Sequence, residues 1–143
     1  MPGEITVDNK IMGYIQLFES LTHEHLRECL ESEDIVLFIV NEKRIGEIFR
    51  KNPNIVSSLK ERVNKHIILA EVSKDLLSMT RNILFRYGVK EIHITWKEGQ
   101  TDIQVSVAQE EVGRVIGKEG RNIKLFREAI GRFFPIHSLS VKQ

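Results

Sequence analysis

The stretch Val112-Gly113-Arg114-Val115-Ile116-Gly117-Lys118-Glu119-Gly120-Arg121-Asn122-Ile123-Lys124 decides how the rest of this 143-residue chain is read. Two glycines bracket two polar residues between apolar residues at helical spacing. That pattern predicts a short helix over 110–116, a tight turn, and a second helix over 121–130. Glycine permits positive φ and lets a ligand approach the backbone with no Cβ in the way. The turn opens a helix, whose unpaired N–H groups and positive dipole end attract phosphate. Arg114, Lys118, Arg121 and Lys124 set cations round the same point, while Ile116 and Ile123 offer an apolar floor against which bases can lie. Clamping a backbone and seating bases are what holding single-stranded nucleic acid requires.

Upstream of this stretch, Ile92, Ile94 and Trp96 alternate with Glu91, His93 and Thr95, and Ile103, Val105 and Val107 alternate with Asp102, Gln104 and Ser106. These are two half-buried strands joined through Lys97-Glu98-Gly99-Gln100. Ser73 is the expected N-cap of a helix that carries Leu76, Leu77, Ile83 and Leu84 and ends at Gly88. Pro135 to Val141 reads as a closing strand. Nearer the N-terminus a similar order recurs. A helix over 10–20 aligns Ile11, Tyr14, Ile15 and Phe18, and the unbroken run Ile35 to Val40 reads as a buried strand. The less clear stretch 22–33 suggests a short strand around Cys29-Leu30 paired with that run. Pro53 fits the first turn of a helix continuing to Val63, and Ile67 to Ala70 is a further strand. Asn54-Ile55 through Lys65 lies along Asn122-Ile123 through Arg132 in element order and apolar phase. The expectation is an α+β chain of two α-β-β-α-α-β units, 1–72 and 73–143, each a three-stranded sheet on helices. Each is at the small end for independent folding, so the junction at Val72-Ser73 is expected to leave them packed as one body.

The run Val115-Ile116-Gly117-Lys118-Glu119-Gly120-Arg121-Asn122-Ile123-Lys124 matches the V-I-G-K-x-G-x-N-I-K core of the KH family of RNA-binding domains almost throughout. The chain resembles that family there, and a helix and two strands ahead of the turn resemble its type II, prokaryotic arrangement. Two such units in a short chain resemble the archaeal NusA family of transcription termination and antitermination factors. Leu17-Phe18-Glu19-Ser20-Leu21-Thr22 and Glu28-Cys29-Leu30 also look like that family's opening helix and strand. The resemblance implies binding of single-stranded RNA, as nascent transcript, and association with RNA polymerase. It carries over as RNA-binding residues Arg114, Ile116, Gly117, Lys118, Glu119, Gly120, Arg121, Asn122, Ile123 and Lys124. The first copy departs from the pattern, with Phe49-Arg50-Lys51-Asn52-Pro53 where the second has its glycines. Pro53 removes a backbone donor, so Arg50 and Lys51 stand as weaker candidates and the first unit is expected to be mainly structural.

Charge distribution favours the nucleic-acid reading. The net charge is +1, yet residues 1–72 hold nine basic and twelve acidic residues and residues 73–143 hold twelve and eight. Residues 114–132 alone contain six basic and two acidic residues, so the surplus sits beside the glycines. A P-loop fails, because three residues rather than four separate Gly113 from Gly117 and Glu119 stands where Ser or Thr is needed. His23, His25 and Cys29 lack a fourth ligand for zinc, so neither metal nor cofactor is expected. No nucleophile–base pair stands out, and the expectation is a protein that is not an enzyme. Trp96 is expected as core or interdomain filler. Hydrophobic and charged contents of 41% and 29% are ordinary globular values. One cysteine suits a reducing compartment, and no apolar run nears the ~20 residues that span a bilayer. With no signal-peptide pattern at the N-terminus, the expected protein is a cytoplasmic monomer. Two other readings are a KH scaffold serving as a protein adaptor on polymerase or ribosome, and an RNA-binding factor in ribosome assembly.

Overall fold

Asp8 starts the first helix: its carboxylate accepts from the amides of Lys10 at 2.8 Å and Ile11 at 3.4 Å, satisfying donors that a helix end leaves unpaired. The computed structural model describes residues 8–143; residues 1–7, on which the signal-peptide expectation rests, lie outside them. The elements follow as α1 (Asn9–Thr22), β1 (Leu26–Glu31), β2 (Ile35–Val40), α2 (Ile45–Lys51), α3 (Ile55–Val63) and β3 (His66–Glu71). The second half runs α4 (Leu76–Leu84), β4 (Val89–Lys97), β5 (Gln100–Val107), α5 (Val112–Ile116), α6 (Arg121–Gly131) and β6 (Ser138–Val141). The described residues form an α+β structure with two three-stranded sheets, ordered β1-β2-β3 and β4-β5-β6. In each the first pair is antiparallel and the second parallel, so the two halves share one topology.

The first sheet explains why Ile35 to Val40 is apolar at every position. Phe18, Val36, Phe38, Val40, Ile48, Ile55 and Leu59 form one core on the side of α1, α2 and α3. Leu37, Ile39, Ile68 and Ala70 point the other way, into a core shared with Met79, Ile83, Leu84, Phe126 and Ala129 of the second half. A strand covered on both faces has no place for the polar half of an alternating pattern. The second sheet keeps that alternation: Ile103 and Val105 are buried, whereas Gln104 is exposed.

Three expectations need correction. Ser73 is not the cap of α4; Asp75 is, accepting from the Ser78 amide at 2.9 Å, while the Ser73 hydroxyl donates to Asp75 at 3.4 Å. A carboxylate is the stronger acceptor for the helix end. Pro53 precedes α3 rather than entering it, since Asn54 is the residue before the first turn. Trp96 is neither core nor filler, being 72% exposed. It stands beside the Glu98-Gly99 turn, where the β4–β5 ribbon outruns the packed core and Trp96 through Gln100 are all exposed.

Candidate nucleic-acid interface

Gly117 ends α5 with φ 75° and ψ 168°, a backbone state open in practice only to glycine. Lys118–Gly120 then makes one 3-10 turn, closed by the Gly120 amide donating to the Gly117 carbonyl at 3.1 Å. Glu119 and Gly120 both hold positive φ, 58° and 74°. The amides of Lys118 and Glu119 have no backbone acceptor among the described residues, so two donors of the turn are left unpaired. Lys118, Glu119, Lys124 and Arg114 are exposed, and Ile116 and Ile123 are half-buried. The turn thus combines free donors, cations and an apolar floor on consecutive elements.

The remaining two predicted residues are held by the protein itself. Asn122 is only 6% exposed, its carboxamide donating to the Arg114 carbonyl at 3.1 Å and accepting from the Ser32 hydroxyl at 3.0 Å. It ties α5, α6 and the β1–β2 turn together and sets the loop's shape. Arg121 forms ion pairs with Glu33 and, at 3.8 Å, with Asp34, and its Nε donates to the Lys118 carbonyl at 3.2 Å. Arg114 pairs with Glu111 at 3.1 Å, whereas Lys118 and Lys124 have no ion-pair partner among the described residues. Arg50 and Lys51 lie in the last turn of α2, not in a loop, and both pair with Glu47.

Sequence reasoning missed the contribution of the first half. Ser32, Glu33 and Asp34 reach residues about ninety positions away along the chain, and Arg132 of the second half pairs with Glu28 at 3.0 Å. Nothing local in either segment signals these contacts; they exist because the exposed-looking turn of the first sheet abuts α6.

A glycine-bounded turn joining two helices over an antiparallel-then-parallel three-stranded sheet defines a KH-like domain. Residues 76–143 match the sequence model of the NusA-like second KH domain. The chain is 57% identical over 141 residues to the "Probable transcription termination protein NusA" of Thermoplasma acidophilum, covering 99% of this chain and 98% of that one. It is 25% identical over 138 residues to the protein of the same description from Halobacterium salinarum, covering 96% and 98%. A solved structure described as "Crystal structure of APE1850" superposes with a TM-score of 0.65 at 23% identity, covering 95% of this chain and 100% of that one, which shows the shared fold. The chain belongs to the archaeal NusA family.

Proposed function

We propose that this protein binds single-stranded RNA through the Gly117–Gly120 turn and acts as a cytoplasmic, monomeric transcription termination or antitermination factor on nascent transcript bound to RNA polymerase. In this reading the chain is two tandem type II KH domains, 1–72 and 73–143, the first degenerate at its loop. Lys118 and Glu119 present backbone donors to phosphate, Arg114 and Lys124 add cations, and Ile116 and Ile123 seat bases. Gly117, Gly120, Asn122 and Arg121 hold the turn open. The observation that carries the reading is the pair of unpaired amides at Lys118 and Glu119, framed by two positive-φ glycines and lysines without ion-pair partners. Membership of a family whose relatives are described as transcription termination proteins supports the role in transcription.

A KH clamp of about four nucleotides implies roughly three or four phosphate contacts and a log–log salt slope of about −2 to −3. Titration of labelled single-stranded RNA against wild type and the Lys118→Asp/Glu119→Asp variant tests the site, because Lys118→Asp puts a carboxylate that repels phosphate in place of a cation and the glycines are unaltered. Loss of binding in the variant is expected; equal affinity removes the loop from the interface. Affinity purification of the endogenous protein, scored for polymerase subunits against ribosomal proteins, tests the assignment to transcription.

A further inference from the structure

The Gly117–Gly120 turn has two flanks, and they differ in charge. On one flank Lys118, Arg121 and Lys124 face Glu31, Glu33, Glu119 and Glu128, and Arg121 is already neutralised by Glu33 and Asp34. Glu31 is in turn paired with Lys65 and Glu128 with Arg132, so a polyanion leaving the turn on that side meets a surface of mixed, largely compensated charge. The other flank opens into a cleft between the two halves of the chain. Its cations are Arg86, Arg114 and Lys118, and its acids are Asp34 and Glu111, the latter paired with Arg114. His66, at the start of β3, is exposed at the same cleft.

The segment that walls this cleft also offers an aromatic surface. Phe85, Arg86 and Tyr87 form one 3-10 turn after α4. Tyr87 is buried against Phe126, with ring centroids 5.7 Å apart, and Arg86 is fixed by donating to the Ile67 carbonyl of the first half at 3.1 Å. Phe85 faces solvent, 77% exposed, more than any other large apolar side chain described. An aromatic ring so exposed gains nothing for the core, and it shares a turn with Arg86, which lines the cationic cleft; phosphate on cations and base on a ring face is how single strands are held. Its two chain neighbours are anchored, so the ring stands on a rigid turn.

We infer that this inter-half cleft is a second nucleotide subsite. It takes the phosphate adjoining those held by the turn on Arg86, Arg114 and Lys118, and the attached base on Phe85. The inference rests on the RNA-binding reading above and gives the strand a direction: it passes between the halves of the chain rather than over the flank of compensated charge.

Fluorescence anisotropy with labelled single-stranded RNAs of about four and about eight nucleotides separates the two claims, since one KH loop spans about four. Phe85→Ala removes a solvent-facing ring and His66→Glu adds a negative charge to an exposed position, so neither disturbs the core; thermal unfolding of both variants verifies it. Both are expected to leave the shorter RNA unaffected. Phe85→Ala weakens the longer one by about five- to fifty-fold, the effect of one base stack. Wild-type affinity of both variants for the longer RNA overturns the subsite while leaving the loop reading intact. Failure of the wild-type protein to bind either RNA overturns both.

Discussion

A Cβ on residue 117 would lie 2.7 Å from Cγ of Asn122, so the first glycine of the turn and the buried asparagine of α6 are built around each other. Gly120 is different: a Cβ there would meet only Ile123 Cγ2, at 3.8 Å. The two glycines that look equivalent in sequence therefore differ in what they tolerate. Gly117→Ala combines a glycine-only backbone state, costing on the order of 1–3 kcal/mol, with displacement of Asn122. Gly120→Ala needs only the left-handed conformation, at roughly 1–2 kcal/mol. Denaturant unfolding should rank Gly117→Ala as the more destabilised. Adding Asn122→Ala to Gly117→Ala should cost less than the sum of the two single changes, because the clashes with Cγ and Nδ2 are then gone and only that with Cβ, at 2.9 Å, is left. Strict additivity would show that the contact is not shared.

The Ser32–Asn122 hydrogen bond should couple the first half to the loop. Ser32→Ala leaves the buried Asn122 Oδ1 without its donor, a loss of about 1–3 kcal/mol. Its local consequence is faster hydrogen exchange at Gly117 and Gly120, whose amides close the turn onto the Gly113 and Gly117 carbonyls. Unchanged exchange at those amides would confine Ser32 to the β1–β2 turn.

Much of this structure is legible from local pattern, and the remainder follows from contacts across the chain. The alternation at 92–96 and 103–107 and the glycine spacing at 117 and 120 are local consequences of residue chemistry, and they place the β4–β5 pair and the turn. The alternation also mispredicts Trp96, because period two reports which face a residue occupies and not how far the covering helices reach. Ser73 is a good capping residue by type, but it lies two positions ahead of the actual cap, and geometry chose the Asp75 carboxylate. Roles at the candidate site are less legible. Asn122 and Arg121 read as nucleic-acid contacts by position, yet they are occupied by Ser32, Glu33 and Asp34, partners that only the packing of the two halves supplies.

Cys29 offers a probe of the first core. Burial, with the Glu31 and Glu28 carboxylates adding to it, pushes its thiol up to about 12. The thiolate is the reactive form, so the folded protein should resist alkylation at neutral and mildly alkaline pH. Modification should follow global unfolding and quicken with denaturant. Rapid labelling of the native protein near pH 8 would show that β1 opens locally.

Glu31 should make stability depend on acid pH. Burial pushes its carboxyl up, but the Lys65 ammonium at 2.8 Å, the Tyr14 hydroxyl at 3.1 Å and Lys10 at 3.6 Å outweigh this and hold it below the ordinary value. The folded state thus binds this proton less readily than the unfolded chain. The stabilisation is whole above the ordinary carboxylate value and is lost as pH falls through the lowered folded value. Glu31→Gln should cost about 1–3 kcal/mol at neutral pH, the scale of a hydrogen bond to a charged group, and the gap to wild type should close on acidification. A gap independent of pH would assign the loss to packing.

Leu37 and Phe38 are adjacent on β2 and fully buried, yet they face different cores. Truncating either should cost about 2–5 kcal/mol, the range for large-to-small changes in a core. What distinguishes them is where the damage spreads. Phe38 stacks on Phe18 at 5.1 Å within the first half, so Phe38→Ala should act first on α1 and its neighbours. Leu37→Ala opens the core shared with Met79, Ile83 and Phe126, and should lower amide protection in α4 and α6 although the substitution lies in the other half. Because the same strand supplies both cores, wild type should unfold in a single transition. Two separate transitions, or protection in α4 and α6 that ignores Leu37→Ala, would show that the halves fold independently and that the shared core contributes little to holding them together.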